Sequence, residues 1–203
     1  MKTIRLENMR RMPWKNGLGV TTEIALFPET ASLVDASFDW RISIAEIVEA
    51  GRFSTFLGFD RLLLFWSGQG LNLNGHMLDP FQVHRFRGEE EVHAEPTGSV
   101  QDLGIIFRRG RFRAEMGRLS AGEISLMPGR HFVINLGSPC EILSGETYRL
   151  RHGDALDFGD NSETCVLQAH PVLSGEVVTS ILISIYPVQD IPLGRASSSN
   201  VKV

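Results

Sequence analysis

The sequence contains few cysteines, and it has no long apolar run. Its 203 residues include two cysteines, Cys140 and Cys165, and neither lies in a Cys-x-x-Cys motif. This pattern predicts free thiols in a reducing compartment rather than a disulfide framework. The most apolar stretch, residues 62–66, is far too short to cross a bilayer. Residues 1–8 have neither the apolar run nor the cleavage site of a secretory signal, so we expect a cytoplasmic protein without a membrane partner.

Positive charge is not in excess either. Twenty basic residues stand against 24 acidic ones, which gives a net charge of −4. Nucleic-acid binders draw much of their affinity from positive charge against phosphate, so this balance argues against a nucleic-acid partner. Arginines do cluster between residues 108 and 118. The cluster fits either a local nucleic-acid patch or a solvated connection between domains, and the acidic whole favours the connection.

The motifs of metal and nucleophilic catalysis are missing as well. No two histidines have His-x-His spacing, and there is no Gly-x-Ser-x-Gly elbow, P-loop or dinucleotide fingerprint. The isolated histidines are His76, His84, His93, His131, His152 and His170. We therefore expect no metal ligand, no cofactor and no catalytic residue.

Strand patterns, in contrast, are frequent, and helical periodicity is scarce. Residues 38–44 alternate apolar and polar side chains. Further strands are predicted at residues 61–66, 71–75, 100–107, 123–127, 132–136 and 178–186. The Ser-Gly-Gln-Gly turn at residues 67–70 predicts a hairpin across residues 61–75. Turn signals every 8–12 residues favour an all-β antiparallel sandwich or barrel.

The chain also contains a loose duplication. Each half has a strand pair with a Gly-rich turn, and residues 150–158 of the second half read Leu-Arg-His-Gly-Asp-Ala-Leu-Asp-Phe. That pattern resembles the strand-turn-strand of cupins, in which Gly-Asp makes the tight turn. We predict two consecutive cupin-type β-barrels (jelly rolls), a bicupin. The first covers residues 1–112 and holds the ligand site, the second covers 113–194, and 195–203 form a flexible tail.

Three segments together resemble the HutD/Ves family of cupin proteins: residues 13–24, 40–45 and 51–70. The resemblance is dense over residues 10–75 and thin afterwards, and Lys15-Asn16-Gly17 favours the HutD branch. It implies a two-barrel cupin associated with bacterial histidine utilisation, which binds a pathway intermediate and tempers the response. The family usually carries Asp-Phe-Asn near residue 102, whereas here Gly104 replaces the Asn.

Alternation indicates which residues of these segments share a face. Thr21 and Glu23 lie on one face of their strand, and Arg41 and Ser43 on one face of theirs. These residues either line a polar barrel interior or face solvent, and the family resemblance favours the interior. Arg61 fits either a barrel rim or a ligand carboxylate, which a guanidinium binds bidentately. The candidate ligand-binding residues are Lys15, Asn16, Thr21, Glu23, Arg41, Ser43, Arg61 and Asp102.

Three functions fit these observations. The first is a non-enzymatic, metal-independent cupin that binds a small carboxylate and modulates histidine utilisation. The second is a metal-independent isomerase or epimerase acting on a small acid or sugar, with Glu23 as general base. The third is a structural protein with a collapsed barrel, in which an arginine pairs with Glu23 or Asp102 instead of a ligand. A homodimer is compatible with all three.

Overall fold

The computed structural model describes residues 1–14, 19–33, 36–119 and 122–188, and it is built almost entirely of strands. Apart from a 3-10 turn at Leu6–Asn8, no helix occurs in these ranges. The prediction of an all-β chain is therefore confirmed. Within the same ranges, no helix has the length and apolar character needed to cross a membrane.

The strands follow the alternating segments of the sequence closely. They are β1 (Lys2–Ile4), β2 (Arg10–Pro13), β3 (Gly19–Phe27), β4 (Trp40–Ile47), β5 (Gly51–Arg52), β6 (Phe59–Ser67), β7 (Gly70–Leu73), β8 (His76–Leu78), β9 (His84–Arg87), β10 (His93–Thr97), β11 (Val100–Arg108), β12 (Phe112–Leu119), β13 (Gly122–Leu126), β14 (Gly129–Asn135), β15 (Cys140–Ser144), β16 (Glu146–Leu150), β17 (Ala155–Asn161), β18 (Cys165–Pro171) and β19 (Ser180–Pro187). Every strand segment predicted from the sequence overlaps one of these.

The strands form four antiparallel sheets, two in each half of the chain. The N-terminal half contains a six-stranded sheet of order β2-β3-β4-β11-β6-β9 and a four-stranded sheet of order β5-β10-β7-β8. The C-terminal half contains a five-stranded sheet of order β1-β17-β14-β19-β12 and a four-stranded sheet of order β13-β18-β15-β16. The described strands close none of these sheets into a barrel.

The hairpin predicted across residues 61–75 is wrong. Strand β6 pairs with β11 and β9, whereas β7 pairs with β10 and β8 in the other sheet. The turn between them carries the chain from one sheet to the other. Its Gly68 has a φ of +114° and approaches Ser99 and Val100 too closely for a side chain to fit. A Gly-bearing turn between two apolar strands thus looks the same in sequence whether the strands pair or change sheets.

Strand β1 joins the five-stranded sheet although it begins the sequence. Lys2 to Ile4 pair with β17, and the following segment is fastened to the same half. There the Arg5 guanidinium donates to an Asp154 carboxylate oxygen at 2.6 Å, and Asp154 also accepts the Leu6 N–H at 3.1 Å. The division of the chain into domains at residues 112 and 113 stays a prediction.

One face of the six-stranded sheet packs the two halves together. Trp40 and Ile42 of β4 are buried in one apolar cluster with Phe132 and Ile183 of the five-stranded sheet. Burying apolar area of this kind is the main stabilising contribution in a fold without long helices.

The opposite face of the six-stranded sheet looks toward the small sheet of its own half. Leu63 and Phe65 of β6 cluster on this side with Leu71 of β7. Alternation along β4 then places Arg41 and Ser43 on this inner face, away from the junction between the halves.

Candidate functional site

Strand register gathers six of the candidate residues on the inner face of the six-stranded sheet. Cross-strand partners point to the same side, so each row of the sheet brings neighbours together. Glu23 lies opposite Ser43, Thr21 lies opposite Ala45, and Ala45 lies opposite Asp102. Arg41 and Arg61 both lie opposite Ile106, from its two sides. We call Thr21, Glu23, Arg41, Ser43, Arg61 and Asp102 the inner polar cluster.

Glu23 and Arg41 form a buried ion pair within this cluster. The Arg41 Nε donates to Glu23 Oε2 at 2.8 Å, and the two side chains are only 6% and 13% exposed. The Nη2 of Arg41 is buried and has no hydrogen-bond partner among the described residues. A buried donor without an acceptor is unfavourable, so Arg41 presents an open position for an anionic or carbonyl oxygen.

Arg61 is held by aromatic rings rather than by a carboxylate. Its guanidinium lies 5.0 Å from the ring centre of Phe53 and 4.9 Å from that of Phe86. Its Nη1 donates to the Ser54 carbonyl oxygen at 3.1 Å. Burial lowers the pKa of Arg61 to about 10, while the nearby Asp102 opposes that change. The guanidinium is still protonated at neutral pH, and it keeps further N–H groups for a ligand.

Asp102 is a buried carboxyl group with a displaced pKa. Its side chain accepts the Ala45 N–H at 3.2 Å, and the residue is 4% exposed. Burial raises the pKa of Asp102 to about 7, and both Arg61 and the Ala45 N–H oppose this rise. At neutral pH the group therefore exists in both forms, and it can accept or donate a hydrogen bond.

Gly104 leaves room beside the cluster. It lies opposite Ser43 on β4 and opposite Leu63 on β6, in the row between Asp102 and Ile106. A Cβ atom added here would meet the Leu62 carbonyl oxygen at 3.6 Å, an ordinary contact. The absent family Asn thus makes the inner face less crowded at this row.

Two candidates, Lys15 and Asn16, lie outside the described residues, but both flanks of their segment are ordered by hydrogen bonds. The Trp14 N–H donates to the Gly19 carbonyl at 2.9 Å, and Trp14 Nε1 donates to Thr21 Oγ1 at 2.8 Å. A side chain at Gly19 would collide with the Glu46 carbonyl. The glycine at 19 is therefore required by packing.

Three of the arginines at residues 108–118 form ion pairs with carboxylates of the N-terminal half. Arg108 and Arg111 both contact Asp39, while Arg109 donates to Asp60 at 2.7 Å. These ion pairs tie residues 108–111 to the N-terminal half, and the absence of a nucleic-acid partner stays a prediction. In the described ranges, no three His, Cys, Asp or Glu side chains are grouped so that they could hold a metal ion.

Sequence reasoning missed the aromatic residues around Arg61 and a cleft at the junction of the halves. Phe53 lies in a family-like segment, but Phe86 comes from β9, and no local pattern connects them. The cleft has a volume of about 670 Å³ and is lined by aromatic rings that include those of Phe27, Trp40 and Tyr186. Because those rings come from both halves of the chain, the cleft can be recognised only in the folded structure.

Two of the curated proteins that this chain is similar to share the same identity with it. A region of 122 residues is 36% identical to an uncharacterized 21.2 kDa protein in the hutC 3' region of Pseudomonas putida, covering 57% of this chain and 63% of that protein. A region of 119 residues is 36% identical to Protein Ves of Citrobacter koseri, covering 54% and 60%. The matches thus span about three fifths of the length of these curated relatives.

Solved structures match over nearly the whole chain. HutD from Pseudomonas fluorescens SBW25, solved in a formate condition, is 28% identical with a TM-score of 0.77, over 93% of this chain and 99% of that one. A Cupin 2 conserved barrel domain protein from Leptotrichia buccalis has a TM-score of 0.52 at 12% identity, over 92% and 96%. The second likeness concerns the fold alone, which is cupin-like. The HutD family model matches residues 6–173, and the chain therefore belongs to the HutD family.

Proposed function

We propose that the protein binds a small carboxylate at the inner polar cluster and does not transform it. The observation that carries this proposal is the buried, unpartnered Nη2 of Arg41. Glu23 holds the Nε of the same guanidinium at 2.8 Å and so fixes its plane. A carboxylate oxygen at Nη2 would satisfy a donor that the protein leaves open.

Arg61 and Asp102 support the same proposal. Arg61 lies on the other side of Ile106 from Arg41. The rings of Phe53 and Phe86 contact the face of its guanidinium, so some of its N–H groups stay available for a ligand. A carboxylate between two guanidinium groups gains charge-assisted hydrogen bonds, which are about twice as strong as neutral ones. Because burial raises the pKa of Asp102 to about 7, its carboxyl group could accept a hydrogen bond from the ligand when ionised, or donate one to a second ligand oxygen when protonated. The missing side chain at Gly104 reduces crowding beside these groups.

Membership of the HutD family gives the ligand a biological context. We propose that the carboxylate is an intermediate of histidine utilisation, such as urocanate or N-formylglutamate, and that its binding modulates that pathway in the cytoplasm. We also propose that the two pairs of sheets are two cupin barrels, divided near residues 112 and 113. The cupin-like solved structures support the barrel interpretation.

A metal-independent isomerase or epimerase is the second candidate. The observation in its favour is Asp102, because a carboxyl group with a pKa of about 7 is suited to general acid–base catalysis at neutral pH. Glu23 is less suited to act as the base, since Arg41 already holds its carboxylate.

The test combines affinity measurement with product analysis. Urocanate and N-formylglutamate are titrated into wild-type protein and Arg61→Lys by calorimetry, with Arg118→Lys as the control. Arg118 also lies over an aromatic ring, that of Phe81, at 4.6 Å, but on β12 outside the cluster. Arg61→Lys keeps the charge and loses the planar fork, so affinity should fall about tenfold or more, about 1.4 kcal/mol. Arg118→Lys should bind as wild type does.

Two results would contradict the proposal. If neither acid binds, or if Arg61→Lys and Arg118→Lys weaken binding equally, the inner polar cluster is not the carboxylate site. If proton NMR after incubation detects an altered acid, the protein is an enzyme, and the isomerase candidate replaces the binding protein.

A further inference from the structure

The cleft at the junction of the halves has a wall of aromatic rings. Phe27 stacks on Trp40 with ring centres 5.5 Å apart and planes inclined by 9°. Phe112 meets Phe27 edge-on at 6.5 Å. All three rings line the same cleft of about 670 Å³, together with Tyr186 of β19. This volume lies in the range of small-molecule sites, and nearly parallel rings favour a flat guest.

Two arginines contribute to the same cleft. The Arg130 guanidinium lies 5.3 Å from the ring centre of Trp40 and donates to Asp157 at 2.8 Å. Its Nε is buried without a hydrogen-bond partner among the described residues. Arg113 lies 4.3 Å from the ring centre of Tyr186, and its side chain is 62% exposed.

Of the two cleft arginines, Arg113 is the one that can meet a negative group on a ligand. Arg130 contacts two carboxylates, those of Asp157 at 2.8 Å and Asp160 at 3.5 Å, whereas the one carboxylate contact of Arg113 among the described residues is an exposed one with Glu115 at 3.5 Å. Exposed pairs of this kind contribute little, so the Arg113 guanidinium is free to turn to a ligand. Asp160 also lines the cleft and would repel a ligand with a second negative charge.

We propose that this cleft is a second binding site, which takes a planar aromatic monocarboxylate. The aromatic body lies against Phe27, Trp40 and Phe112, and the carboxylate meets the Arg113 fork. The site is separate from the inner polar cluster, because Trp40 and Arg41 are consecutive on β4 and point to opposite faces of the sheet. The inference does not depend on the carboxylate site at Arg41.

The experiment uses 2-naphthoate as the probe, titrated by calorimetry into the full chain. Two reference compounds dissect the recognition: 2-naphthalenemethanol lacks the charge, and cyclohexanecarboxylate lacks the flat ring. Arg113→Gln and Phe112→Leu alter the cleft, and Arg118→Gln is a matched control on the same strand that does not line it. We expect 1:1 binding of 2-naphthoate, weakened about tenfold or more by each cleft variant and unchanged in Arg118→Gln. Both reference compounds should bind at least tenfold more weakly than 2-naphthoate.

Other outcomes overturn the proposal. Absence of saturable binding does so, and so does equal affinity in Arg113→Gln, Phe112→Leu and the wild type. The variant Arg61→Lys separates the two sites. If it abolishes 2-naphthoate binding while the cleft variants do not, the probe occupies the inner polar cluster and the cleft is empty.

Discussion

The interiors of the two halves both contain buried polar groups, and they differ in how these groups are hydrogen-bonded. In the C-terminal half, His131 contacts Ser184 Oγ at 2.9 Å and the Met127 carbonyl at 2.8 Å. Ser180 donates to Asn135 at 3.2 Å, and Asn135 donates to neighbouring carbonyls. These polar groups are satisfied by the chain itself, although two other buried atoms of this half, Arg130 Nε and Glu176 Oε2, have no hydrogen-bond partner among the described residues.

The N-terminal half leaves part of its polar interior open. Arg41 uses Nε for Glu23 but has no partner for Nη2 among the described residues, and Asp102 accepts one backbone N–H. The region around His131 and Asn135 and the inner polar cluster therefore differ in how completely their buried polar groups are paired. In the first region the paired groups fix the packing, and in the second an unpartnered donor is available to the ligand that we propose.

The largest effect that tests this comparison is expected from Arg41→Ala. The substitution leaves the Glu23 carboxylate buried without its partner, so we expect the free energy of unfolding to fall by about 3–5 kcal/mol. Urea denaturation measures it, with Arg52→Ala as a control because Arg52 and Glu91 are both exposed. A loss below about 1 kcal/mol would mean that Glu23 is solvated in solution.

Asp102→Asn should change the pH dependence of stability. The pKa of Asp102 is raised to about 7 from an ordinary value of 3.8, so the folded state binds the proton more tightly than the unfolded state. Wild-type stability should therefore fall as pH rises from about 4 to 7, and the Asn variant lacks this contribution. Between pH 5 and pH 7, the free energy of unfolding of the variant should rise by on the order of 2 kcal/mol relative to that of the wild type.

Thermal or urea unfolding at several pH values measures that difference. Asn keeps an oxygen to accept the Ala45 N–H, so that the fold tolerates the change. A gap between the two proteins that stays constant from pH 5 to 7 would show that Asp102 titrates normally.

Ser184→Ala should have the smallest effect. It removes one hydrogen bond from His131, which keeps its contact with the Met127 carbonyl, so we expect a loss of about 1 kcal/mol. Carboxylate affinity should not change, because the pair belongs to the self-satisfied interior. A change in affinity would erase the distinction between the two halves.

The sequence predicts the strands and their faces well, since alternation is a local property. Residues 40–45 alone predict that Arg41 and Ser43 share a face, and the register agrees. The partner of Arg41 could not be chosen between Glu23 and Asp102, because a bulge after Glu23 shifts the pairing of β3 with β4. Phe86 reaches Arg61 only through the pairing of β9 with β6, which no local pattern specifies.

The pairing of β1 with β17 has a consequence for the order in which the chain can fold on the ribosome. Residue 2 pairs with residue 157, so β1 is synthesised long before its partner exists. All strands of the six-stranded sheet lie before residue 109, so this sheet can assemble before the partner of β1 has been synthesised. The inner polar cluster is therefore able to form early, whereas the five-stranded sheet is complete only after β19 has emerged. Assembly of the cleft between the halves belongs to this last stage of synthesis.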